Sequence, residues 1–307
     1  MDSSARKLRT DCAMPETKES VRSLGDFVDA VSDLRRHWGL ANHKELWFRG
    51  ESKDYRDTIL RPELYRPAER KSLKPIWKLL TIENDLHEEF KRIAVERCSE
   101  PISEDDWDWD SYFLMQHHSG PTRLLDWSDG ALMALHFALR NKKDNEENAL
   151  VYVVEPHRLS EYLKSLPDVK LFEEAWKSYV AKHPSDDLND DEWEDGYLPA
   201  DEDANTELPV PRPPLVLDFP LITRRIAAQR SRFVVFGTDP TWLSEEFRSA
   251  DSTIKVIEIA AEKRSTIRQE LRDCGVMESV IYPDLDGLGR EMRQLWDDRR
   301  AAAEENS

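Results

Sequence analysis

The residues best suited to chemistry are charged or polar side chains set into apolar, aromatic surroundings. Arg49 ends the run Leu46-Trp47-Phe48, just before Gly50. Gln116 and His117 close the aromatic stretch that begins at Trp107. Arg123 and Asp126 bracket Leu124-Leu125, and Trp127 follows. Arg225 and Gln229 lie four apart, ahead of Phe233-Val234-Val235-Phe236. A buried charge is expensive unless it is paired, which leaves two arrangements. Arg123 and Asp126 form an ion pair inside the fold, or Arg49, Arg123 and Arg225 converge on an anion in a basic cleft. Guanidinium forks match phosphate oxygens two at a time, and Gln116, His117 and Gln229 would add neutral hydrogen bonds.

Other chemistries leave no trace. There is no Gly-x-Gly-x-x-Gly, no phosphate loop ending in Gly-Lys-Ser/Thr, no His-Glu-x-x-His and no Gly-x-Ser-x-Gly. His117 and His118 point about 100° apart on a helix and cannot hold one metal from one face. Cys12, Cys98 and Cys274 are too far apart for metal-ligand spacing and read as reduced thiols. No metal is expected. A nuclease would need clustered carboxylates on a divalent ion, and Asp126, Asp284 and Asp286 are scattered. No apolar run approaches the ~18 residues needed to span a bilayer, and no apolar segment follows the basic N-terminus. The expected location is the cytoplasm, without a membrane partner.

The chain has 307 residues, with 62 Asp and Glu against 44 Lys and Arg and a formal charge of -18. That sign disfavours long-range attraction to nucleic acid. Ten Trp and ten Phe can close a sizeable core despite 35 % charged residues. The acidity is local: eleven acids and no base fall between Asp186 and Glu207. The segment reads as a solvated insertion whose removal should leave the fold intact. Alternatively, with Trp193 and Tyr197 interleaved, it is a docking strip for a basic protein.

The elements that must position these residues follow from periodicity. Val21, Leu24, Phe27, Val28, Val31 and Leu34 have helical spacing, and residues 1–18 look frayed. Strands are expected at 45–49, 150–154, 233–237 and 254–259. Residues 122–127 read as an irregular strand. Helices are expected at 82–97, with Leu86, Phe90, Ile93 and Ala94 on the apolar face, at about 107–117, and at 131–141. Further helices are expected at 158–182, at 262–274 with Gly275 as its cap, and at 288–300. Pro209 to Pro214 reads as an extended spacer. The class is α+β or mixed, with short central strands surrounded by helices.

Several of these residues carry a resemblance. Trp47-Phe48-Arg49-Gly50, Arg61-Pro62, Gln116-His117, Pro121-Thr122-Arg123-Leu124-Leu125-Asp126-Trp127 and Ala134-Leu135-His136-Phe137-Ala138 resemble the FRG domain family. Arg225-Ile226-x-x-Gln229, Phe233 and Tyr282-Pro283-Asp284-Leu285-Asp286-Gly287 extend the match. The resemblance covers roughly residues 45–240 and more loosely 250–290. With the periodicity and charge pattern above, the expected organisation is an N-terminal helical extension over 1–40 and an FRG domain over 41–245 that holds the acidic insertion at 186–207. A strand-helix part of the same fold would occupy 246–300, with a tail at 301–307. By analogy it also implies a bacterial or phage defence or toxin role.

A second, weaker likeness is to ADP-ribosyltransferases, whose first motif is an aromatic-Arg-Gly strand in which the Arg holds NAD phosphate. It implies an ADP-ribosyltransferase-like fold with NAD as substrate. Arg49, Gln116, Arg123, Arg225 and Gln229 would bind NAD, and His117, Asp126 and the strand glutamate Glu258 would be the catalytic candidates. The non-enzymatic alternative is a sensor module in which the same arginines hold a nucleotide or other phosphorylated ligand.

Overall fold

A computed structural model describes residues 20–66, 75–94, 96–97, 107–141, 146–184, 188–217, 224–249 and 252–305. The expected frayed N-terminus and two of the acids, Asp186 and Asp187, fall outside that set. Six short apolar segments pair into one antiparallel sheet: β1 (Trp47–Glu51), β2 (Leu124–Ser128), β3 (Ala149–Val154), β4 (Leu215–Leu217), β5 (Ser231–Val235) and β6 (Ile254–Ile259). Their spatial order is β4-β5-β2-β1-β3-β6. The described helices are α1 (Leu24–His37), α2 (Ile76–Ala94), α3 (Trp107–His117), α4 (Ala131–Leu139), α5 (Pro156–Ser165) and α6 (Pro167–Lys182). They continue with α7 (Glu202–Glu207), α8 (Arg224–Gln229), α9 (Trp242–Phe247), α10 (Arg264–Asp273), α11 (Glu278–Ile281) and α12 (Leu285–Glu305). The fold is α+β.

Alternation along the strands sends side chains to both faces of the sheet, and helices cover both. Phe48, Val151, Val153, Ile257 and Ile259 pack against α1, α4 and α10. Trp47, Trp127, Tyr152, Val154 and Val234 pack on the opposite face with Leu159, Leu163 and Leu243. At the β4–β5 end, Leu124, Phe233 and Val235 meet the aromatics of α3 and α6. The expected single helix over 158–182 is two helices, because Pro167 starts a new first turn where its missing N–H costs nothing. Gly275 ends α10 at φ +83°.

The acidic segment departs from its expectation as a solvated insertion. Trp193 and Tyr197 are buried beside Phe172 and Trp176, and Gly196 lies so close to Phe172 that a Cβ there would stand 2.5 Å from its ring. Several acids are engaged at the surface: Glu194 with Lys164, Glu207 with Lys182 and His183, and Asp195 with the Trp109 indole N–H. The Pro-rich stretch is likewise packed rather than a free spacer, since Thr238 N–H donates to the Pro211 carbonyl and Tyr197 Oη to that of Pro213. Aromatic anchors outweigh local acidity where the two compete, because burying them removes far more apolar surface from water.

Helix α2 turns a polar face inward. Leu80, Glu83, His87 and Ala94 are buried, whereas Leu86, expected on the apolar face, is exposed. His87 is 2 % exposed and shares a 2.7 Å hydrogen bond with Ser111 Oγ. Burial, with Lys91 adding to it, lowers the imidazole pKa to about 4. An unfolded histidine titrates near 6.5, so the unfolded chain gains this proton first. The stability His87 contributes is complete above pH ~6.5 and is lost as pH falls toward 4, with a slope of at most ~1.4 kcal/mol per pH unit. Denaturant midpoints at pH 7 and 4.5 should differ less in His87→Gln than in the parent; equal differences would disprove this account.

Candidate functional site

The sheet is continuous except at its centre. β1 pairs with β3 at five positions, Trp47 to Glu51, and β2 pairs with β5 at five, Leu124 to Ser128. Between β1 and β2 the register has one pair, Phe48 with Ser128. The two strands then diverge, and a cleft of about 680 Å³ opens between them. Helix α4 closes one side. It sits directly on β1 at Gly50, where any Cβ would fall 1.9 Å from the Ala134 carbonyl oxygen. Only glycine permits that approach.

Arg49, Gln116, His117, Asp126 and Gln229 all line the cleft. Arg49 is held from two sides: its Nη1 donates to the Asp126 carbonyl oxygen at 2.7 Å, and its Nε lies 3.2 Å from Glu51 Oε1. This guanidinium spans the gap where strand hydrogen bonds are missing. Gln116 Nε2 donates to Asp126 Oδ2 at 2.6 Å, and Thr122 Oγ1 donates to Gln116 Oε1, so both ends of the amide are fixed. The Asp126 carboxyl stands on the cleft floor, crowded by protein yet open to the solvent of the cleft. Loss of water raises its pKa above the usual carboxylate value, and Arg49 and Gln116 restrain the rise.

Arg66 also lines the cleft. Although the side chain is exposed to the cleft, partial loss of water against the cleft wall, and then the positive charge of Arg49, lower its pKa. Arg49 and Arg66 thus place two guanidinium groups in one cleft, with Glu51 between β1 and the cleft space as an acidic neighbour. Glu51, Tyr55, Trp127, Ser231, Arg140 and Tyr282 complete much of the wall. Arg140 donates to Tyr282 Oη at 2.9 Å and pairs with Glu278. Burial alone would raise the Glu278 pKa, but His136, Arg140 and Arg290 outweigh it and hold the carboxyl at about 2. This knot fixes the far rim of the cleft.

Two expected site residues, Arg123 and Glu258, are not brought to the cleft. Arg123 is 1 % exposed and pairs with Glu83, which is fully buried, at 2.5 Å. Its remaining nitrogens donate to the Tyr197 and Phe236 carbonyls at 2.7 and 3.1 Å. Glu83 also accepts from the Arg123 backbone N–H and from Tyr112 Oη. Arg123 therefore forms the structural ion pair, with Glu83 in place of Asp126 as its partner. Glu258 lies on the edge strand β6 opposite Leu150 and accepts from Asn148 Nδ2, away from the cleft. Arg225 belongs to α8, and its side chain is outside the described residues. Asp284 accepts from the Gly287 N–H and caps α12.

Arg66, Glu51, Tyr55 and Arg140 were not legible as site residues. Arg66 follows Arg61-Pro62 closely, and Glu51 is two residues beyond Arg49 on the same face of β1. Those spacings were the available signals. Among the described residues no three His, Cys, Asp or Glu side chains gather as a metal site, and no helix is long and apolar enough to cross a membrane.

Fold and site together define an α+β protein whose central sheet is split around an arginine-bearing polar cleft. The family model of the FRG domain matches residues 44–147. The chain carries an FRG domain over this segment, which contains Arg49, Gln116, His117 and Asp126, whereas Gln229 and Tyr282 lie beyond it. No curated protein and no solved structure matches the chain.

Proposed function

We propose that the cleft binds a phosphorylated nucleotide, with NAD as the first candidate, and that Arg49 and Arg66 hold its phosphates. The observation that carries this reading is the pair of arginines in one cleft, with the Gln116–Asp126 pair beside them. Charge-assisted guanidinium–phosphate bonds suit such a ligand, and Glu51, paired to Arg49, orients one of the two groups. A second reading rests on Asp126. A carboxylate on the floor of an NAD-filled cleft could stabilise the oxocarbenium-like state of ADP-ribosyl transfer electrostatically, with His117 beside it. Without that chemistry, the same cleft serves as a sensor.

Arg66 is exposed to the cleft rather than locked in the core, so Arg66→Met should fold with an unchanged melting temperature. It should weaken NAD binding about tenfold or more, as expected for losing a hydrogen bond to a charged group. Calorimetric titration of both proteins measures this. Failure of the parent protein to bind NAD or pyrophosphate would overturn the reading, and nicotinamide release on incubation with NAD separates the enzyme from the sensor.

A further inference from the structure

The two strands that flank the cleft carry hydrogen-bonding capacity that the fold leaves unused. The Glu51 side chain is 3 % exposed; Oε1 faces Arg49, while Oε2 has no partner among the described residues. Trp127 is also 3 % exposed, and its indole N–H has no partner among them. Both residues line the cleft. Buried polar atoms are almost always paired, so an unpartnered acceptor on β1 and an unpartnered donor on β2, both lining the cleft, suit a ligand with groups that donate and accept.

We infer that Glu51 and Trp127 form a subsite for the ribose hydroxyls of the bound nucleotide, an inference that rests on the nucleotide reading above. A phosphate oxygen would take the indole N–H but only accepts, so it gives nothing to the Glu51 carboxylate and is repelled by it. An ammonium group donates to Glu51 but cannot accept from Trp127. A hydroxyl does both, and a vicinal diol offers two such groups on a rigid ring. Arg49 links the subsites: it contacts Glu51 on one side and faces the same cleft as Arg66 on the other. Phosphate would thus sit at the arginines, with the sugar against β1 and β2.

The test compares ADP, 2′,3′-dideoxy-ADP and inorganic pyrophosphate by calorimetry on the full chain. A site built to bond a hydroxyl rejects the analogue lacking it, so ADP should bind at least about tenfold more tightly than the dideoxy form. In Glu51→Gln that preference should shrink toward equality, while pyrophosphate binding is retained or strengthened by the loss of a nearby negative charge. Equal affinity of the parent protein for ADP and dideoxy-ADP overturns this inference and leaves the phosphate site standing. Binding of none of the three overturns both. The comparison on the parent protein needs no variant to fold.

Discussion

Replacing Glu83 with alanine should lower the melting temperature by roughly 6–20 °C, the largest effect expected of any single substitution named here. The reason is stranded charge rather than a lost contact. Arg123 sits in the core with Glu83 as its counter-ion, and its other bonds go to neutral carbonyls. Removing one member of such a pair leaves a buried charge uncompensated and typically costs ~3–5 kcal/mol. Glu83→Ala also deprives Tyr112 Oη of its acceptor and leaves the Arg123 backbone N–H with Tyr112 Oη alone. Arg123→Ala should be comparably damaging, and the two losses should be far from additive in a double-mutant cycle. Thermal unfolding followed by circular dichroism decides the matter. A folded Arg123→Ala protein with an unchanged melting temperature and lost nucleotide binding would return Arg123 to the cleft and refute the structural assignment.

Deleting residues 188–207 should abolish folding. Loop shortening alone costs little, since closure entropy changes by only ~0.6 kcal/mol per doubling of length. The segment, however, carries Trp193 and Tyr197 into the core shared with α3 and α6, and each large aromatic typically contributes ~3–5 kcal/mol against truncation to alanine. It also supplies the Tyr197 carbonyl that receives Arg123, so the deletion compounds both effects. Soluble expression with a cooperative melt would show that these aromatics are dispensable. A milder comparison, neutralising Asp190, Asp191 and Glu192 to Asn and Gln, should leave the melt nearly unchanged because these acids lie outside the packed core.

Much of the fold could be read from the sequence because apolar periodicity reports burial directly. The strand at 254–259 and the helices beginning at Leu24, Trp107 and Ala131 are found at or within a few residues of their expected places. The failures share one physical cause: periodicity ranks residues by hydrophobicity, whereas this core also buries charge. Glu83 and His87 occupy the inward stripe of α2 at helical spacing from Leu80, but as polar residues they count against that face. Arg123 stood out correctly as a charge that needed a partner. Its counter-ion lies 40 residues away, a separation that no local pattern encodes. The cleft was half legible, through Arg49, Gln116, His117, Asp126 and Gln229. Arg66 and Arg140 escaped because what makes them site residues is where β1 and β2 part, a property of tertiary register.

The parting of β1 and β2 also bears on how cohesive the molecule is. The sheet consists of two three-stranded blocks, β4-β5-β2 and β1-β3-β6, joined along their seam by the Phe48–Ser128 pair, the Arg49 guanidinium and the α4 helix that lies across β1. A ligand seated in that seam touches both blocks and takes the place of the absent rungs. Its binding free energy is then added to the work of separating the blocks, since anything that binds the folded form alone shifts the unfolding equilibrium by mass action. On the nucleotide reading proposed above, filling the cleft and holding the sheet together are a single equilibrium, so the folded fraction would rise with ligand concentration.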